Sequence, residues 1–257
     1  MAAFLDGELP TPSFKSLVPI QAQGEKPPLF LVHGMGGQVL FYERLIYHLG
    51  YDQPAYGLQR LKSDSLNQYS VSEIAALYVA ELQSVQPTGP YLVGGYCLGG
   101  LIAFEMAQQL IEQGSDVSLL ALITPGYPPG VNRPMSYYPG RLVDYVRHRI
   151  PVDIFLDASM KKTKQGIQEM SRYLQLNLKP DDAESKMQVK RAMKQNYMTH
   201  PFLGKITLFE TSERTKPYWA ALARDGVDYY PLPTSHQAIF REPYIQQLAE
   251  NLKAALP

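Results

Sequence analysis

The sequence predicts an α/β chain: a mostly parallel central sheet, helices on both of its faces, and a helical insertion late in the sheet. Three observations carry that expectation. Short apolar runs end abruptly at glycines, as strands buried on both faces do. Stretches of helical spacing lie between those runs, so strands and helices alternate. The alternation then breaks once, from Gly126 to Pro201, and resumes afterwards.

Taken in order, Asp6 to Lys26 is rich in Pro, Ser and Gly and reads as an extended lead-in. Leu29-Phe30-Leu31-Val32 is the first buried run, stopped by His33-Gly34-Met35-Gly36-Gly37. Gln38 to Leu49 has helical spacing and ends at Gly50, a common stop signal. Pro54 to Leu58 reads as a short strand. Ser70 and Glu73 have the spacing of a capping box, and Ile74, Leu77, Tyr78, Leu82 and Val85 then line one helical face. Tyr91 to Gly95 is a second buried strand, Leu98 to Gln113 a helix closed by Gly114, and Val117 to Ile123 a third strand. The stretch that follows has Pro-rich turns, helical segments and no convincing strand. Ile206 to Phe209 and Val227 to Leu232 restore the rhythm before a last helix opened by Pro243. The expectation is one domain over residues 1–257 with an insertion at residues 127–201.

Composition excludes several classes. With 24 basic and 24 acidic residues the chain is neutral, so no nucleic-acid or membrane-surface partner is expected. One cysteine cannot form an internal disulfide. The start, MAAFLDGELPTPSF, lacks a signal peptide's charged end and apolar run. No apolar stretch nears the roughly 20 residues that span a bilayer. A soluble cytoplasmic chain is the expectation.

Gly95-Tyr96-Cys97-Leu98-Gly99 has the spacing G-x-nucleophile-x-G, with cysteine in the centre. A nucleophile on a sharp strand-to-helix turn sits in strained backbone, and the residues two before and two after it come too close to neighbouring chain for a side chain. Both are glycine here. A lone cysteine is more often inert packing; the strand before this one and the helix after it favour the nucleophile. The helix N-terminus would lower the thiol pKa.

His236 stands in Pro233-Thr234-Ser235-His236-Gln237-Ala238, between the last strand and the last helix, where a base belongs in chain order. His48, His148 and His200 have no motif context, and His33 reads as a support for its glycine loop. An oxyanion hole would take the backbone N–H of Leu98 and, from the glycine loop, that of Met35.

LVPIQAQGEKPPLFLVHGMGG, GPYLVGGYCLGGLIAFEMAQQL, KITLFETSE and LPTSHQAIFREPYIQQLAENL, in that order, resemble the thioesterase domains of nonribosomal peptide and polyketide synthases. The resemblance covers nearly the whole chain and is weakest in the insertion, which corresponds to that family's variable helical lid. It implies an α/β-hydrolase fold and a substrate carried as a thioester on the phosphopantetheine arm of an acyl or peptidyl carrier protein. No metal or cofactor is expected. Two departures stand out. Cys97 takes the usual serine position, and the family's aspartate position after the strand Val117 to Ile123 reads Thr124-Pro125-Gly126. Glu213, after the strand Ile206 to Phe209, is the candidate acid; a solvated loop glutamate is the equal alternative. In the insertion, Tyr137, Tyr138, Ile154, Phe155 and Leu156 are candidate lining, and Lys161, Lys162 and Lys164 could face an acidic carrier. Two rivals remain open: a small-ester hydrolase like the dienelactone hydrolases, whose elbow is similar, and an inactive relative kept as a binding module.

Overall fold

The computed structural model describes residues 16–60, 69–128 and 199–257. The candidate lid residues Tyr137, Tyr138, Ile154, Phe155 and Leu156, the lysines Lys161, Lys162 and Lys164, and His148 lie outside them.

Seven strands form one sheet: β1 Leu17–Gln21, β2 Leu29–Val32, β3 Ala55–Leu58, β4 Tyr91–Tyr96, β5 Val117–Ile123, β6 Ile206–Glu210 and β7 Val227–Pro231. Their order is β1-β3-β2-β4-β5-β6-β7. Every neighbouring pair is parallel except β1 with β3. The described helices are α1 Glu43–Leu49, α2 Val71–Val85, α3 Leu98–Glu112, α4 Lys216–Ala220 and α5 Tyr244–Ala255.

Side-chain alternation divides the core into two layers. Phe30, Val32, Leu120 and Leu122 face α2, α3 and α4, packing with Tyr78, Phe104 and Trp219. Leu29, Leu31, Leu119 and Ile123 face α1 and α5, packing with Leu45, Ile46, Ile245, Leu248 and Leu252. Strands buried on both faces lose the polar–apolar alternation, which is why they read as continuous apolar runs.

The capping box forms: the Ser70 hydroxyl accepts from the Glu73 N–H, and the Glu73 carboxylate accepts from the Ser70 N–H at 2.7 Å. The helix expected from Gln38 begins later, because Leu40–Tyr42 is a turn of 3-10 helix that runs into α1. Inside the presumed lead-in lies β1. It is an edge strand with Pro19 exposed, and the Glu81 carboxylate of α2 holds its start by accepting from the Ser16 and Leu17 N–H groups at 3.0 and 2.7 Å. Pro19 breaks its short apolar run, and proline is tolerated there because the strand lies at the edge, so the sequence did not mark it as a strand.

After β2 the chain adds β3 on one side, then crosses back to lay β4 on the other. The crevice at such a reversal, beyond the carboxyl ends of the strands, is where open α/β sheets place their sites. Both the glycine loop after β2 and Cys97 after β4 emerge there.

Candidate active site

Cys97 joins β4 to α3 with φ 57° and ψ −115°, a backbone region that side chains rarely occupy. Its N–H donates to the Ile123 carbonyl at 3.0 Å, so the turn is pinned to β5. A Cβ on Gly95 would run into the Gly99 carbonyl, and one on Gly99 into the carbonyls of Val32 and His33. The two glycines therefore do separate things. Gly95 lets the turn close on itself; Gly99 lets α3 press against the end of β2. The sulfur-bearing residue is half-buried, at the first turn of a 15-residue helix whose N-terminal N–H groups favour negative charge.

The close approach of α3 to β2 brings the His33–Gly37 loop beside the elbow. That loop is a tight turn, with the Gly37 N–H on the Gly34 carbonyl at 3.0 Å and Gly37 at φ 78°. His33 anchors it. The buried ring places Nδ1 2.6 Å from the Gly34 carbonyl and Nε2 3.0 Å from the Tyr78 hydroxyl, which itself lies 3.0 Å from the Gln59 carbonyl. Burial above all, with some help from the Arg60 charge, lowers the His33 pKa to about 4, so its ring is neutral at pH 7. A neutral ring facing a carbonyl through Nδ1 carries its proton there. Beneath the loop, the fully buried Tyr42 donates to the Val32 carbonyl at 2.8 Å and takes the Tyr96 N–H, tying β2 to β4. Met35 is half-buried on the loop; Leu98 is the first residue of α3.

His236 lies half-buried in the loop between β7 and α5. The structure brings it, 140 positions from Tyr96, onto the residue that precedes Cys97: the Tyr96 hydroxyl donates to the His236 carbonyl at 2.7 Å, and the two rings stack at 4.8 Å. His48 instead meets Glu242 at 2.9 Å, and the His200 carbonyl accepts from Gln108.

Glu213 is exposed and opens a single turn of 3-10 helix, Glu213–Thr215, beyond β6. Thr124, where the family resemblance places aspartate, is buried at φ 41°, and its hydroxyl has no partner among the described residues. Sequence reasoning missed Glu210. It ends β6 as a buried residue, accepting from the N–H groups of Thr211, Gly126 and Ser212; burial outweighs these bonds and raises its pKa to about 7. The signal was an acidic residue ending an apolar run, which reads equally well as the first solvated residue of a loop.

Among the described residues no three His, Cys, Asp or Glu side chains are grouped to hold a metal ion, and no helix is long and apolar enough to cross a membrane.

The model of the thioesterase domain family matches residues 27–256. The chain belongs to that family. This thioesterase domain is 40% identical over 109 residues to the dimodular nonribosomal peptide synthase of Bacillus subtilis (strain 168), a match spanning 42% of the chain and 5% of that protein. It is 27% identical over 269 residues to chondramide synthase cmdD of Chondromyces crocatus, covering 92% of the chain and 7% of the synthase. The thioesterase domain thus spans only a small part of the curated relatives it matches. Among solved structures, the NocB thioesterase domain from the nocardicin cluster superposes with TM-score 0.67 at 24% identity, over 93% of this chain and 98% of that one. A four-domain nonribosomal peptide synthetase bound to AMP and glycine superposes with TM-score 0.70 at 22% identity, over 95% of this chain and 20% of that one. At such identities the structures speak for the fold, which is the α/β-hydrolase fold expected from the sequence.

Proposed function

We propose that this thioesterase domain takes an acyl or peptidyl group from the phosphopantetheine thioester of a carrier protein onto Cys97, and releases it by transfer, cyclisation or hydrolysis. The observation that carries the reading is the backbone of Cys97. A residue held at φ 57° between two glycines with no room for side chains is placed at a cost of about 1–3 kcal/mol, and exposing a nucleophile at a helix N-terminus accounts for that cost. Its relatives being nonribosomal peptide synthases supports the substrate class.

In this reading His236 takes the Cys97 proton, and Sγ attacks the thioester carbonyl. The backbone N–H groups of Met35 and Leu98 receive the developing oxyanion. Collapse expels the pantetheine thiolate, which recovers the proton from His236. One thioester replaces another, so the step is near thermoneutral, and the acyl-enzyme stays activated toward amines, thiols and carbon nucleophiles. Glu213, on the turn beyond β6, remains the proposed acid partner of His236. A thiol ionises far more easily than a hydroxyl, so a Cys–His pair leans less on that acid.

Intact-protein mass spectrometry with an acylated carrier tests the reading. The parent gains the acyl mass; Cys97→Ala does not, and undiminished acyl-enzyme in that variant ends the proposal. Cys97→Ser retains some loading and shifts the products toward hydrolysis. Thr124 in the family's acid position favours one other reading, an inactive binding module, which requires that the parent itself never load.

A further inference from the structure

Three pieces of the site meet on Tyr96. The elbow begins with it, since Cys97 is its chain neighbour. The glycine loop makes room for it: a Cβ on Gly34 would lie 2.9 Å from Tyr96 Cδ1. The base loop rests on it through the ring stack at 4.8 Å and the hydrogen bond at 2.7 Å to the His236 carbonyl. The ring is itself held edge-on by Phe240 at 5.0 Å and by Phe41 at 5.7 Å. Its freedom to turn is therefore small, and whatever touches its face inherits a fixed orientation.

We infer that Tyr96 is a positioning residue for the base: its hydroxyl fixes the His236 backbone, and its ring face fixes the imidazole plane and stabilises the imidazolium formed when His236 takes the Cys97 proton. The inference rests on the proposed pairing of Cys97 with His236. A cation within about 6 Å of a tyrosine centroid is attracted to the ring face, and the stack satisfies that distance. The two devices add orientation and charge stabilisation to whatever the acid partner of His236 supplies, from a residue that the elbow motif leaves unspecified. Neither requires a carboxylate at position 124.

The full chain tests this by two readouts on folded protein: turnover of a small acyl thioester, and the pH dependence of Cys97 alkylation by iodoacetamide, in which the thiolate displaces iodide. Tyr96→Phe keeps the ring and loses the hydroxyl. It should lower kcat about fivefold, leave KM within twofold, and leave the alkylation midpoint in place. Tyr96→Leu loses both; its kcat should fall about a hundredfold, with the alkylation midpoint moving up by about half a pH unit, because the thiolate–imidazolium pair loses its aromatic face. A purely structural Tyr96 would lower the melting temperature of the leucine variant while the folded fraction alkylates with the parental pH midpoint, and that result overturns the inference. Should the leucine variant not fold, a parental kcat in Tyr96→Phe overturns it instead. Loading by Cys97→Ala would sink the enzyme reading itself. Normal behaviour of both Tyr96 variants beside a dead Cys97→Ala sinks only this inference.

Discussion

The β2–β4 side of the site and the β5–β6 side meet the same demand, a sharp exit from a buried strand, by different means. On the first side the tight places are glycines: at Gly34, Gly95 and Gly99 a Cβ would collide with backbone or ring atoms, and at Gly37, φ 78°, with the Arg60 side chain. The one strained side chain there is Cys97. On the second side Thr124 takes a left-handed conformation with a β-branched side chain and an unpartnered buried hydroxyl among the described residues, and Glu210 buries a carboxyl. Backbone accommodation builds one wall; strained or buried polar side chains build the other. The difference is one of means: in this chain the elbow and its loop are fixed by steric exclusion, whereas the β5 and β6 exits are held by a strained threonine and a buried carboxyl.

The largest expected effect breaks the first wall. Gly95→Ala drives a methyl into the Gly99 carbonyl, which is helix backbone and cannot step aside. The expected cost exceeds about 4 kcal/mol, enough to leave little folded protein. Urea unfolding, or the soluble yield where unfolding cannot be measured, checks it; a loss under about 1 kcal/mol would mean that the elbow has slack.

A second prediction sets the two buried titratable groups against each other. His33 is neutral in the fold with its pKa lowered from 6.5 to about 4, so its contribution is lost as pH falls through that range. Glu210 has its pKa raised from 4.5 to about 7, so its contribution is intact below 4.5 and lost as pH rises toward 7. Between pH 4.5 and 6.5 the slopes are opposite, each about 1.4 kcal/mol per pH unit, and they cancel. Removing one group exposes the other. His33→Asn should lose stability as pH rises across that window, and Glu210→Gln should gain it, relative to the parent. Unfolding free energies at pH 5 and pH 6 decide; parallel profiles in all three proteins would show that neither burial governs the ionisation.

The same contrast explains what the sequence made legible. The alternating elements, the Ser70–Glu73 box, the elbow and the His236 loop are dictated by steric or periodic rules that leave a mark at fixed spacing. Glu210 leaves none, because only the fold decides whether a carboxyl ending an apolar strand turns inward to the Gly126 and Ser212 N–H groups or outward to water. Nor does the sequence show that Tyr96 reaches His236, since G-x-C-x-G constrains the glycines and leaves the intervening residue open. The strand β1 escaped for a third reason: Pro19 interrupts its short apolar run, and its start is held by Glu81 from a helix far along the chain.

The smallest effect, and the one of opposite sign, is at Thr124. Glycine there removes a β-branched side chain from φ 41° and deletes a buried hydroxyl with no partner among the described residues. Relief of that strain is worth about 1–3 kcal/mol, and removal of an unsatisfied hydroxyl about 1 more. Against these stand the greater freedom that glycine gives the unfolded chain, about 1 kcal/mol, and the packing lost with the threonine methyl, about another. The balance should stabilise the protein by roughly 1 kcal/mol, read as a rise in the urea midpoint at constant slope. Gly95→Ala and Thr124→Gly are mirror-image exchanges at neighbouring strand exits, so opposite signs would show that the two walls store strain differently. If Thr124→Gly destabilises instead, the threonine methyl is packed well enough to outweigh its conformation, and the second wall is as closely fitted as the first.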